Sequence, residues 1–149
     1  MRRLMLSICL VSMALVVMPI GMAAAAVDNE ADTGAKIPTS LPELFTFYGA
    51  ASKQAFDAGR GKDLWFKKTP ADDGKLRDCT VCHGDDLNRP GKHAKTGKTI
   101  DPMAPSVNKE RYTDLKKVEK WFKRNCKWTL GRECTAQEKG DVLKYLSLQ

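Results

Sequence analysis

Histidine is scarce in this chain, and so is methionine once the first 22 positions are set aside. Two histidines, His83 and His93, occur among 149 residues, and of the methionines only Met103 lies beyond the first 22 positions. No segment alternates apolar and polar residues as a strand would, so the βαβ setting of a thioredoxin-like redox pair is missing. A zinc centre would need a second close cysteine pair, and Cys126 and Cys134 stand too far apart in sequence to supply one. No internal repeat occurs, which excludes a stacked-repeat array. No acid–base pair stands out.

What is present is concentrated in five residues, Cys79-Thr80-Val81-Cys82-His83. Two cysteines separated by two residues and followed directly by histidine form the attachment signature of a c-type haem. The spacing has a chemical reason. Both thiols must reach the two vinyl groups on one porphyrin edge and become thioethers, while the adjacent His83 offers a nitrogen to the iron as proximal ligand.

The start of the chain agrees with this. Arg2 and Arg3 make a positive n-region, Leu4 to Ile20 are almost wholly apolar, and Ala24-Ala25-Ala26 match a small-residue cleavage site. Residues 1–26 therefore read as a signal peptide, cut near Ala26, of a protein exported to the periplasm. An uncleaved anchor is the alternative, but the apolar run falls short of the roughly 20 residues of a span. The mature protein is not expected to span a membrane.

Losing the leader removes Cys9 and leaves four cysteines. Two go to haem, so Cys126 and Cys134 are the only possible disulfide, in a compartment where disulfides persist. Closing so short a loop should stabilise by about 2–3 kcal/mol. The formal charge of +7 falls by two when Arg2 and Arg3 leave, and haem propionates lower it further. A moderately basic exported protein suits an acidic partner. The lysines read as scattered along the sequence, and export argues against nucleic acid.

Residues 27–40 mix Asp, Glu, Gly, Pro and Thr without apolar period and read as a flexible lead-in to a cytochrome c domain over 41–149. Ser40-Leu41-Pro42-Glu43 is a predicted capping box opening a helix that stops near Gly59. A second helix is predicted from Gly61 to Lys67, followed by a polar loop from Pro70 to Asp78. Gly84 to Ser106 reads as a long loop around a haem edge. Asp114 caps a helix carrying Val118, Trp121, Phe122 and Asn125 and ending there. Cys126 to Cys134 turns a corner through Gly131, and Thr135 to Glu138 is a capping box for a last helix with Val142, Leu143, Tyr145 and Leu146. The expected architecture is all-α, a cytochrome c-like helical domain wrapped around one covalently attached haem.

The sixth ligand decides what such a haem does. Met103 as ligand would close the site and raise the potential, making a plain His/Met electron carrier. It sits between Pro102 and Pro105, a suitable loop setting, but early in the chain for this role. His93, flanked by lysines, is expected to face solvent. Val118, Trp121, Phe122 and Asn125 fall at i, i+3, i+4 and i+7, so Asn125 points with the apolar stripe. Its amide either bonds backbone at a helix end or faces the iron.

Four stretches resemble the sphaeroides haem protein (SHP) class of c-type cytochromes. They are Cys79 to Gly84; Thr96-Gly97-Lys98 through Ala104-Pro105-Ser106; Val118-Glu119-Lys120-Trp121 through Arg124-Asn125-Cys126; and Gly131-Arg132-Glu133-Cys134-Thr135 through Glu138-Lys139. The match covers Phe56 to Leu148. The haem motif is generic, whereas Arg-Asn-Cys followed by Gly-Arg-Glu-Cys-Thr is specific. The resemblance implies that His83 is the proximal ligand and Asn125 the distal one, released on reduction to open a site for dioxygen, nitric oxide or carbon monoxide. It also implies a dihaem c-type cytochrome as electron donor, itself fed by a membrane cytochrome b. Met103 departs from the aliphatic residue that family members carry there, and the helix from Leu41 is less well matched. The resemblance favours electron transfer and gas binding, with an oxygen or nitric oxide oxidoreductase activity as the lesser alternative. A dithiol oxidoreductase using Cys79 and Cys82 is the third, weakest rival.

Overall fold

The computed structural model describes residues 39–149, so the predicted signal peptide and all but the end of the lead-in lie outside the described residues. Five helices form: α1 (Leu41–Gly49), α2 (Ala58–Trp65), α3 (Thr80–His83), α4 (Leu115–Leu130) and α5 (Ala136–Leu146). The fold is all-α. Two two-residue antiparallel ladders were not expected. Strands β1 (Thr69–Pro70) and β2 (Leu76–Arg77) pair within the predicted polar loop, and β3 (Gly91–Lys92) and β4 (Thr99–Ile100) pair within the predicted long loop. Segments this short carry no periodic signal.

The core gathers on α5. Val142, Leu143, Tyr145 and Leu146 pack with Leu44 and Tyr48 of α1 and Trp65 of α2, with Leu87 and Tyr112 contributed from loops. Helices α2 and α5 lie backbone to backbone: a Cβ on Gly61 would stand 2.0 Å from the Asp141 carbonyl oxygen, so only glycine permits the crossing. Beside it the Arg60 guanidinium donates to both Asp141 carboxylate oxygens, at 2.8 and 2.9 Å. The Asp57 amide adds a third bond, at 2.7 Å.

Several predicted boundaries shift. Helix α1 ends at Gly49 rather than near Gly59, and α2 begins at Ala58 because Asp57 caps it through the Arg60 amide at 2.8 Å. The Ser40 capping box does not close; its hydroxyl donates to the Glu43 carboxylate at 2.9 Å instead. That of Thr135 and Glu138 does close. Helix α4 continues past Asn125 and Cys126 to Leu130, where Gly131 in the left-handed conformation stops it. Asn125 is therefore a mid-helix residue.

Helix α4 is fastened at several points along its length. Glu119 accepts the Tyr48 hydroxyl and receives Lys139 Nζ at 3.0 Å. Phe122 meets the Tyr48 ring edge-on at 6.1 Å. Arg77 of β2 lies over Trp128 at 4.5 Å. Cys126 is disulfide-bonded to Cys134, with Cα atoms 5.6 Å apart. Val118 and Phe122 pack against the core, but Trp121 is 42% exposed and so leaves the predicted stripe.

Candidate haem site

The Cys-x-x-Cys-His segment is wound into the single turn α3, which places Cys79, Cys82 and His83 together. Its shape is set from outside. The Cys79 amide donates to the Trp65 carbonyl at the end of α2, at 3.1 Å. Buried Asp78 accepts the Thr80 hydroxyl at 2.6 Å and the Val81 amide at 3.3 Å, capping the turn. Strand β3 lies directly on it, since a Cβ on Gly91 would stand 2.2 Å from the Cys82 carbonyl oxygen. The Ala94 amide reaches Cys82 Sγ at 3.4 Å.

The chemistry of these groups fits a covalent haem. Cys79 and Cys82 are free thiols held on one turn rather than paired with each other. Burial pushes the Cys79 thiol up to about 12, with the Asp78 carboxylate and Cys82 adding to it. Burial, with the Arg111 cation adding to it, lowers His83 to about 4. The imidazole is thus neutral, the state a metal ligand requires. Its Nδ1 is buried without a hydrogen-bond partner, and so is Nε1 of Trp65, whose ring lies 5.4 Å from that of His83. Orphaned buried polar atoms are rare in a folded protein, and two side by side mark a place built to receive another group.

The candidate distal residues are positioned differently. Met103 is part-buried against the core, and its loop is pinned: its amide donates to the Leu87 carbonyl at 3.0 Å and its carbonyl accepts the Tyr112 hydroxyl at 2.8 Å. Tyr112 adopts φ 63° to make this contact, a conformation that costs a non-glycine residue energy. Arg111 ties the same loop through the carbonyls of Asp101 and, at 2.8 Å, Pro102.

Asn125 is half-buried on α4. Its backbone carbonyl accepts the Thr129 hydroxyl at 2.8 Å, and among the described residues its side-chain amide has no hydrogen bond. A backbone bond at a helix end, one of the two readings of this amide, is absent, and the helix continues past it to Leu130. His93 is half-buried in an exposed stretch, with Nδ1 accepting the Thr96 amide at 3.2 Å.

Sequence reasoning missed Asp78, Gly91, Trp65 and Arg111. Of these only Asp78 carried a local signal, a capping residue type just ahead of a short helical turn.

A domain of unknown function, DUF1924, matches residues 51–146. The chain is 42% identical over 111 residues to the cytochrome c-type protein SHP of Cereibacter sphaeroides, covering 74% of this chain and 85% of that one. It is 40% identical over 86 residues to cytochrome c'' of Methylophilus methylotrophus, 58% of this chain and 60% of that one. In three dimensions it resembles oxidised SHP, described as an oxygen-binding cytochrome c, with a TM-score of 0.70 at 42% identity over 76% of this chain and all of the other. Oxidised cytochrome c'' gives 0.66 at 34% identity over 73% and 94%. The chain carries the DUF1924 domain and belongs to the SHP-type c-type cytochromes, and its prosthetic group is a covalently attached haem c.

Proposed function

We propose that this protein is a periplasmic cytochrome that accepts electrons and, once reduced, binds dioxygen, nitric oxide or carbon monoxide at a position vacated by Asn125. Haem c supplies a one-electron iron couple and one exchangeable coordination position. Cys79 and Cys82 hold it as thioethers, and His83 is its proximal ligand. The observation that carries the reading is the Asn125 amide, half-buried in mid-helix with no hydrogen bond among the described residues. The buried side-chain atoms left without a partner do not include this amide, so it is open to an incoming group. Ferric iron would be such a group. A neutral amide oxygen is a hard, weak donor, better suited to ferric than to ferrous iron, so Asn125 lets go on reduction.

Two further points support it. The loop that carries Met103 is pinned through its backbone to Leu87 and Tyr112. A solution structure of cytochrome c'', 34% identical to this chain, is described as bearing on haem-ligand detachment. The electron donor in this reading is a dihaem c-type cytochrome fed by a membrane cytochrome b.

The test is a pair of variants. Asn125→Ala should keep haem attached, change the ferric spectrum and leave carbon monoxide binding to the ferrous protein intact, while Met103→Leu should change little. The reverse pattern, with Met103→Leu opening the site and Asn125→Ala silent, would assign the protein to plain His/Met electron transfer.

A further inference from the structure

The lysines that look scattered in sequence gather in space. Helix α4 carries six cations, Lys116, Lys117, Lys120, Lys123, Arg124 and Lys127, against one carboxylate, Glu119. All six are exposed. At 3.6 residues per turn, Lys116, Lys120, Lys123 and Lys127 fall within about 60° of arc, in a row about 16 Å long. Most of the +7 formal charge of the chain therefore sits on one helix.

This face is kept against the helix's own stability. Lys116 and Lys120, Lys120 and Arg124, and Lys123 and Lys127 are like-charge pairs at i, i+4, each of which weakens a helix. Lys116 and Lys117 also occupy the first turn, where the helix dipole disfavours cations. Internal neutralisation is slight. Among the described residues only Lys127 has a carboxylate partner, Glu133 at 3.2 Å. Glu119 is turned away to Tyr48 and Lys139.

We propose that this lysine row is the docking surface for an acidic face of the redox protein that delivers electrons. The inference rests on the electron-accepting part of the proposed function. Charge complementarity selects the partner and speeds encounter. A partner seated on the row would be separated from the inward side of α4, where Asn125 lies, by the width of one helix, about 10 Å.

The test uses haem-loaded ferric protein and reduced plant-type ferredoxin, a small, strongly acidic iron–sulfur protein, with reduction followed by stopped flow. The wild-type rate should fall about tenfold between low and high salt. Lys116→Glu, Lys120→Glu and Lys123→Glu together should lower the low-salt rate about tenfold and flatten its salt dependence. Because the row repels itself, this variant should melt no lower than wild type. Its reduction by a neutral photoreduced flavin should be unchanged. The same charge change on the β3–β4 hairpin, Lys92→Glu, Lys95→Glu and Lys98→Glu, should matter little. The proposal is overturned if the hairpin variant loses the rate and the α4 variant keeps it. It is also overturned if the only loss in the α4 variant is co-sedimentation with phosphatidylserine vesicles. Carbon monoxide binding to the ferrous protein is read separately: its absence would sink the gas-binding reading and leave the docking result standing.

Discussion

At the scale of single residues, the haem motif depends on a neighbour that has no side chain. A Cβ at position 91 would meet not only the Cys82 carbonyl oxygen but also the His83 Cα, at 2.8 Å. Both are backbone atoms that cannot rotate away. Gly91→Ala should cost about 1–3 kcal/mol, as overpacking does, and lower the haem carried per protein. Urea melts and the ratio of haem to protein absorbance would measure both, and an unchanged ratio would show that β3 does not shape the turn. That Cys79, Cys82 and His83 come together was legible from sequence because they lie within five residues. Gly91 was not, because its role comes from which strand lies on the turn, and a Gly- and Pro-rich stretch has no period to reveal that. Arg111 was hidden for the same reason: its bonds run to the carbonyls of Asp101 and Pro102 in another loop.

At the scale of elements, the joint between α4 and α5 combines a disulfide with an ion pair. Intact-mass analysis should find no alkylatable thiol in the exported, haem-loaded protein, and Cys134→Ser should lower stability by about 2–3 kcal/mol. At the start of α5, the Arg132 guanidinium donates to both Glu138 oxygens, at 2.7 and 2.6 Å. Those bonds hold the Glu138 carboxyl down to about 2, helped by the Thr135 amide and opposed by burial. A carboxylate depressed in the folded state contributes its stability above the ordinary glutamate pKa of 4.5 and loses it as pH falls toward 2. Melting temperature should therefore drop across that window, and Glu138→Gln should flatten the slope. An identical slope in the variant would remove Glu138 from the account. The capping box that sets this geometry was readable because Thr135 and Glu138 are three apart. The true length of α4 was not, because its last turn is held by Arg77 of β2 over Trp128, a contact that no short-range pattern encodes.

At the scale of the whole molecule, the exported protein should begin at Val27 and carry the mass of one haem that survives acid–acetone extraction. A mass beginning at Met1 would mean an uncleaved leader. Net charge, read as one number, concealed that the surplus lies on α4, since helical spacing and not sequence adjacency brings those cations together. The fastening of that helix has a consequence for communication. Glu119 before Asn125 and Cys126 after it are both tied to the region of α5 or its cap, through Lys139 and Cys134, so α4 can neither slide nor unwind around position 125. In the proposed reading, the answer to reduction is then confined to the rotation of one side chain, over in nanoseconds rather than milliseconds. The outer face of the helix keeps one shape in both redox states. A protein seated there would meet the same helix surface whether or not a gas had bound, so gas binding would reach it through the reduction potential of the iron and not through the shape of α4.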